Sequence, residues 1–385
     1  MRILITTPIW PPEIGGPATY IKELISHLPG HYQSTVLAFA DNPENLPGVP
    51  FASISKKSAL PIRQFRFFKK LLDLGKNTDV IYAQNPMAVG VPSIVASHIL
   101  KKPLILKFVG DNAWESAFRN GQTKKLLEEF LKNPDAGFKN KLRLLVQKWV
   151  FRRASKIIVP SNFLGRILVT YYKIPVEKIV TIYNASESEK GFEQERAQAD
   201  PHQIISIGRL VPWKDVEGII EAVNILRRDF PQIKLVIAGD GPERKPLEQL
   251  VNSIQLKENV LFMGNISEKE NVQWRKKSAI FVLNSLYEGL PHTVLSSFAI
   301  GIPVVATNIP GTNEAVIDGQ TGLAVPIRDP QALAEGIRRI LTDKELAKKL
   351  TLNAKKLLED KFSWPKHIQS LKDTFDKVVK VMYYK

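Results

Sequence analysis

Cysteine is absent from the 385-residue chain, which excludes disulfides and thiolate metal sites. No apolar run approaches the ~20 residues that a membrane-spanning helix needs. The opening residues, M-R-I-L-I-T-T-P, are too short for a secretory signal and read as a first strand. Internal repeats and low-complexity tracts are missing as well. The Asn-x-Ser triplets at Asn184 and Asn265 therefore read as chance matches, and the expected location is the cytoplasm. What the chain has in excess is positive charge. Its 54 basic residues against 38 acidic ones give +16, which implies attraction to nucleic acid, an anionic bilayer or a phosphorylated substrate. A hydrophobic content of 44% over this length marks a globular protein of about two domains.

Short β-branched runs alternate with amphipathic stretches, which signals parallel α/β structure. In the first half, strands are expected at residues 2–7, 35–39, 79–83, 104–109, 156–159 and 180–182. Helices are expected between them, for example over 17–28 and 161–172. A polar, acid-rich passage over 186–203 interrupts the rhythm and reads as a linker. Strands resume at 204–208, 234–238, 259–263, 279–283, 303–306 and 323–325, with one clear helical stripe at Val216, Ile219, Ile220, Val223 and Leu226. The expected organisation is thus a doubly wound domain over 1–185, a linker, a second such domain over 204–362, and a basic helical tail over 363–385 that packs back on the first domain. In open α/β sheets, ligands bind beyond the carboxyl ends of the strands.

Those strand ends carry the informative residues. After the first strand come Gly15 and Gly16, which either form a tight turn or let backbone approach a ligand. The strand at 204–207 runs into G-R-L-V-P-W-K-D, where Gly208 is followed by Arg209 and Lys214. Those two are either solvated surface cations or a pair able to neutralise a diphosphate without metal, Arg bidentately and Lys as a point charge. A-G-D-G-P at 238–242 places Gly239 and Asp240 in a sharp turn, and F-M-G-N at 262–265 places Met263 and Gly264 in another. The most informative stretch begins at Tyr287. Glu288 and Gly289 precede Leu290, Pro291, His292, Thr293 and Val294, where an apolar helix pattern opens. A helix start offers unpaired N–H groups and a dipole that favours an anion. Each turn alone is weak evidence; four successive strand ends with glycine and polar residues make the argument.

The order Gly15-Gly16, G-R-L-x-x-x-K at 208–214, A-G-D-G-P at 238–242, F-x-G at 262–264 and E-G-L-P at 288–291 is followed by three more motifs. These are P-V-V-A-T at 303–307, E-A-V-I-D-G-Q-T-G at 314–322 and F-S-W at 362–364. The series resembles the family-four group of retaining glycosyltransferases over nearly the whole chain, most specifically in the second domain. The resemblance implies the GT-B architecture: α/β, two facing Rossmann-like domains, ligand in the inter-domain cleft. It also implies a nucleotide-sugar donor held by the second domain and an acceptor on the first. By it, Arg209 and Lys214 bind the donor diphosphate, and the Gly15-Gly16 turn brings Gly16 backbone to a phosphate. Gly208, Gly239 and Asp240 line the donor site, Met263 and Gly264 contact the base, and Glu288 meets the sugar hydroxyls. Gly289, Leu290 and Pro291 lead to phosphate-capping amides around His292, Thr293 and Val294. Neither cofactor nor metal is expected. Transfer with retention then fits a same-face displacement in which the leaving phosphate accepts the acceptor's proton, and the enzyme supplies positioning and electrostatics.

Departures from the family pattern are informative. Eight residues after Glu288 the family commonly has a ribose-binding Glu; here Ser296 stands there. A charged acceptor contributes ~1.5–3 kcal/mol against ~0.5–1.5 kcal/mol for a neutral hydrogen bond. The frequent first-domain His is missing, and Asp111 in F-V-G-D-N-A-W-E is the nearest ionisable group. Asp111 either orients the acceptor hydroxyl or caps a helix that begins near Trp114. The usual P-N-G-V-D at the junction is reduced to Tyr183-Asn184-Ala185, and Asp215 replaces the Gly that often follows the diphosphate Lys.

Residues 61–76 place Phe65, Phe68 and Leu72 on one helical face with Arg63, Arg66, Lys69 and Lys70 around it. Such a helix either rests on an anionic bilayer or buries its apolar face in the core. A second basic stretch, 139–156, includes Trp149, Phe151, Arg152 and Arg153. The expected function is transfer of a hexosyl group from a nucleotide diphosphate sugar to a glycan or lipid-linked glycan of cell-surface polysaccharide or lipopolysaccharide type, at the inner face of the membrane as a peripheral protein. Rival readings are a nucleotide-sugar epimerase or hydrolase of the same architecture, and a non-catalytic sugar-nucleotide-binding protein. Nucleic acid is not an expected partner, since no such module is visible.

Overall fold

The protein is described here by a computed structural model covering residues 1–13, 15–44, 46–135, 137–187 and 199–383. Its contacts divide it into two compact units, Met1–Ala117 with Glu128–Tyr183 and Pro365–Lys385, and Phe118–Leu127 with Asn184–Trp364. Each is a parallel α/β layer structure.

In the first unit, β1 (Arg2–Thr7), β2 (Gln33–Phe39), β3 (Phe51–Ile54), β4 (Val80–Ala83), β5 (Leu104–Lys107), β6 (Lys156–Val159) and β7 (Ile179–Thr181) form one sheet. The strand order is β3-β2-β1-β4-β5-β6-β7, all parallel. Helices α1 (Gly16–His27), α2 (Leu60–Gly75), α3 (Gly90–Leu100), α4 (Asn112–Arg119), α5 (Leu127–Lys132), α6 (Phe138–Arg153) and α7 (Asn162–Thr170) fall between the strands. Ile3, Leu4, Ile5, Ile81 and Ile105 are fully or almost fully buried, as continuous apolar strands are when helices cover both faces. Strand β3 escaped the sequence reading: it is short, lies at the sheet edge and is only half-buried, so it carries no apolar period. Helix α7 begins where a capping residue dictates, with Ser161 Oγ accepting the Leu164 N–H at 3.2 Å.

The second unit repeats the plan with β8 (Asp200–Ile207), β9 (Lys234–Ala238), β10 (Val260–Gly264), β11 (Ser278–Leu283), β12 (Val304–Thr307) and β13 (Leu323–Val325). Their order is β10-β9-β8-β11-β12-β13. The expected stripe forms α8 (Val216–Leu226), and Ile219, Ile220, Val223 and Leu226 join Leu235, Ile237, Val282 and Leu333 in one core. Burying each such side chain contributes ~1.5–3 kcal/mol. The remaining helices are α9 (Arg244–Ser253), α10 (Glu268–Lys277), α11 (His292–Ile300), α12 (Pro330–Thr342), α13 (Lys344–Lys361) and α14 (Trp364–Tyr383).

Three boundaries differ from the sequence reading. The passage expected as a linker, 186–203, lies outside the described residues over 188–198, and β8 already begins at Asp200, where Asp200 pairs with Ser278. Residues 118–127 group with the second unit although they fall within 1–185. The tail is helix α14, and from Pro365 onward it belongs to the first unit. There His367 bridges, with Nε2 3.0 Å from the Tyr20 hydroxyl and Nδ1 2.6 Å from the Tyr183 carbonyl, while Phe375 meets Tyr82 edge-on at 5.5 Å. Among the described residues, no helix is long and apolar enough to cross a membrane.

Candidate functional site

At the carboxyl end of the second sheet, three loops are stitched backbone to backbone. The Gly208 N–H donates to the Ala238 carbonyl at 3.0 Å, Gly239 N–H to Gly264 O at 2.7 Å, and Leu210 N–H to Asp240 O at 2.9 Å. Glycine is required at this junction. A Cβ on Gly239, whose φ is +131°, would stand 2.0 Å from the Gly208 carbonyl oxygen, and one on Gly241 would stand 2.2 Å from Leu210 O. Met263 is half-buried and Asp240 exposed, the latter engaging Arg244 at 3.4 Å and the Gly241 N–H at 2.7 Å.

Arg209 is exposed at the end of β8, its guanidinium 5.9 Å from the centre of the Trp213 ring. Lys214 closes a short 3-10 turn, Pro212–Lys214. Its Nζ donates to Glu288 Oε1 at 2.5 Å, and Ser285 Oγ donates to the same oxygen at 2.7 Å. The loop bearing Glu288 is fixed at several points. Leu286 N–H donates to Trp213 O at 2.8 Å, Thr307 Oγ1 to Ser285 O at 2.5 Å, and Gly311 approaches so closely that a Cβ would lie 1.9 Å from Glu288 O. Lys214 and Glu288, expected in the same site from motifs 74 residues apart, are therefore in direct contact. Ser285 and Trp213 were not among the expected site residues; nothing in their spacing sets them apart.

Asp215 sits in the left-handed region at φ 45°, ψ 49°. This accounts for a position where glycine is common, because Asp is one of the few other residues that tolerate it. Burial raises the Asp215 carboxyl, opposed by the Gly218 N–H and by Asn284 Nδ2, which donates at 2.8 Å. Beyond Gly289, Leu290 and Pro291, helix α11 starts with no side-chain cap and no acid in its first turn. His292 and Thr293 are half-buried and Val294 is buried. Ser296 Oγ lies 3.4 Å from His292 Nδ1, one turn back on the same helix.

The first-unit candidates behave differently. Gly15 precedes α1 in an extended conformation, and a Cβ there would meet Ile9 at 2.6 Å, whereas a Cβ on Gly16 would meet none of the described residues within 4 Å. Asp111 is corrected: it is fully buried and caps α4. Its Oδ1 accepts the Ala113 and Trp114 N–H groups at 3.0 and 2.9 Å, and Gln147 Nε2 and the Tyr172 hydroxyl donate to the carboxylate. Burial raises its carboxyl against those four bonds. With both oxygens committed and no exposed surface, it offers nothing to an acceptor hydroxyl.

The basic helix at 61–76 is also rearranged. It buries Phe67, Leu71 and Gly75, leaving Phe65 67% exposed and Phe68 and Leu72 half-buried. The expected face, Phe65 with Phe68 and Leu72, is thus not the core face.

Two parallel α/β units with glycine-rich turns and paired charges at strand carboxyl ends define a Rossmann-like, GT-B type of protein. Comparisons agree. The family model described as "Glycosyltransferase Family 4" matches residues 14–190 and that described as "Glycosyl transferases group 1" matches 187–357. The chain belongs to the group 1, family 4 glycosyltransferases. It is 29% identical over 220 residues to a glycogen synthase of Mycobacterium tuberculosis, spanning 57% of this chain but only 53% of that one. It is 25% identical to the alpha-monoglucosyldiacylglycerol synthase of Streptococcus pneumoniae over 84% of this chain and 74% of the other. The crystal structure of Anabaena Alr3699/HepE in complex with UDP-glucose superposes with a TM-score of 0.77 at 19% identity, covering 98% of this chain and all of that one.

Proposed function

We propose that the protein is a retaining, metal-independent hexosyltransferase that moves a sugar from a nucleotide diphosphate sugar to a glycan or lipid-linked glycan. The observation that carries this reading is the Lys214–Glu288 pair beside Arg209, at the carboxyl ends of β8 and β11 and ahead of the uncapped start of α11. A diphosphate arriving there meets two cations and helix N–H groups, and it competes with Glu288 for Lys214. Glu288, released from Lys214, is then free to accept from sugar hydroxyls. Met263 and the Gly239–Gly264 junction serve the base. The leaving phosphate takes the acceptor's proton, with Arg209 and Lys214 offsetting its charge. The likeness to a structure that holds UDP-glucose makes a uridine donor the first to test, and the likeness to a glucosyldiacylglycerol synthase supports a lipid-type acceptor at an anionic cytoplasmic membrane face.

The test is a thermal-shift screen against UDP-, GDP- and ADP-sugars, repeated with Arg209→Ala and Lys214→Ala and with chelator present. One donor should stabilise the wild type, each variant should lose about tenfold or more in affinity, and chelator should change nothing. Failure of every nucleotide to stabilise the wild type would sink the reading. Anomeric configuration of the product, read by NMR, decides retention.

A second reading, donor binding without transfer, is favoured by one observation: the ribose-facing carboxylate of the family is a serine already bonded to His292. Ser296→Glu should tighten donor binding by about tenfold. Turnover by the wild type on any acceptor removes this alternative.

A further inference from the structure

More than half of the exposed large apolar side chains among the described residues lie on three helices of the first unit. Helix α2 exposes Leu60, Ile62 and Phe65, α3 exposes Val95 and Ile99, and α6 exposes Phe138, Leu142 and Leu145. α3 packs against both α2 and α6, as follows when successive right-handed crossovers set all three on one face of the sheet. Residues 138, 142 and 145 follow helical spacing, as do 95 and 99, so these are stripes and not scattered positions. Single exposed apolar residues need no explanation, but a layer spread over neighbouring helices does.

Between α2 and α3 this layer opens into a groove of about 580 Å³, within the ~300–1,000 Å³ of small-molecule sites. Leu60, Phe68, Met87, Val91 and Val95 wall it, and Arg63 and Gln64 are the polar side chains in its lining. Gln64 Nε2 donates to the Ala88 carbonyl at 3.2 Å, and Arg63 lies over the Phe39 ring at 5.9 Å. No acid lines the groove. Along α2, Arg66, Lys69 and Lys70 add charge against the single acid Asp73, and α6 carries six basic residues and no acid. Apolar walls select a hydrocarbon chain, and a cationic surround selects an anionic head group.

We propose that the α2–α3 groove binds one hydrocarbon chain of a phosphate-headed lipid, with Arg63 and the basic turns of α2 meeting the phosphate. The site seats the α2–α3–α6 layer on an anionic lipid surface by chain insertion as well as by charge. This deepens the lipid side of the acceptor reading and rests on it for purpose alone, because lipid binding is measured without sugar transfer and each can fail while the other stands.

The probe is decyl phosphate below its micelle concentration, titrated into the full chain by calorimetry. One saturable site is expected, with inorganic phosphate and 1-decanol each weaker by about tenfold or more. Two groove-filling variants, Val91→Trp and Ala88→Phe, should each weaken decyl phosphate by about tenfold while keeping the wild-type melting temperature and nucleotide-sugar response. Absence of saturable binding, equal affinity for 1-decanol, or undiminished binding in both filled variants would overturn the proposal.

Discussion

Asp111 shows how burial redirects a residue that composition marks as chemical. Asp111→Ala strands two N–H groups, an amide and a phenol, and should destabilise the protein by about 2–4 kcal/mol in urea melts. Because burial raises its carboxyl, the folded state holds this proton to higher pH than the unfolded chain does. Stability from this group is therefore full below about pH 3.9 and is lost as pH rises through the folded value. Asp111→Asn should abolish that slope, and kcat should follow stability alone in both variants. Lys107 carries the opposite sign. Among the described residues its Nζ has no hydrogen-bond partner; it lies 3.0 Å over the Tyr20 ring, and burial holds the amine well below the ordinary lysine range. The folded state binds fewer protons through the window from that lowered value up to about pH 10.4, so stability climbs with pH across it. Lys107→Met should stabilise by about 1–3 kcal/mol at neutral pH, with the gain shrinking as pH approaches 10. An unchanged midpoint across pH would refute this account.

At the scale of elements, the candidate site depends on loops held by close glycine approaches as well as by the Ser285 and Thr307 hydroxyls. Gly311 lets its segment press against the backbone of Glu288, and no side chain fits in the 1.9 Å available. Gly311→Ala should displace the Glu288 loop and part it from Lys214, lowering donor affinity by about tenfold or more in calorimetry. A control at Gly30, where a Cβ would meet nothing within 4 Å, should leave binding unchanged. Most strands and the α8 stripe were legible in sequence because apolar runs between turn residues have few alternatives. Strand β3 was not, since an edge strand needs little burial and so leaves little pattern. The start of β8 was also hidden, because Asp200, Pro201 and His202 look like linker in sequence, and Asp200 joins the strand by pairing with Ser278.

For the whole molecule, the proposed lipid binding has the charge excess of +16 and the exposed apolar layer of α2, α3 and α6 acting together on an anionic surface. Each basic residue near such a surface contributes ~1 kcal/mol, and salt screens it over ~8–10 Å. Binding to vesicles of phosphatidylcholine with phosphatidylglycerol should fall by about tenfold or more as salt rises through a few tenths molar. Removing phosphatidylglycerol at low salt should have the same effect. Salt-independent sedimentation with vesicles would contradict the charge part of this picture. Because the chain has no cysteine, a single Ile99→Cys variant can carry a polarity-sensitive dye to report contact directly.

The sequence by itself determined the class of fold and the family. Both are written in local patterns: apolar runs that become parallel strands, glycines at strand ends, and an ordered series of motifs from Gly15 to Trp364. It also placed Arg209, Lys214 and Glu288 in one candidate site. Tertiary structure decided what each group faces, which no spacing contains. Burial turned Asp111 into a helix cap, pairing tied Lys214 and Ser285 to the same oxygen of Glu288, and packing on Phe67 and Leu71 turned Phe65 outward. Local pattern fixes which face of an element is apolar, but only the neighbours supplied by the fold decide whether that face meets core, ligand or solvent.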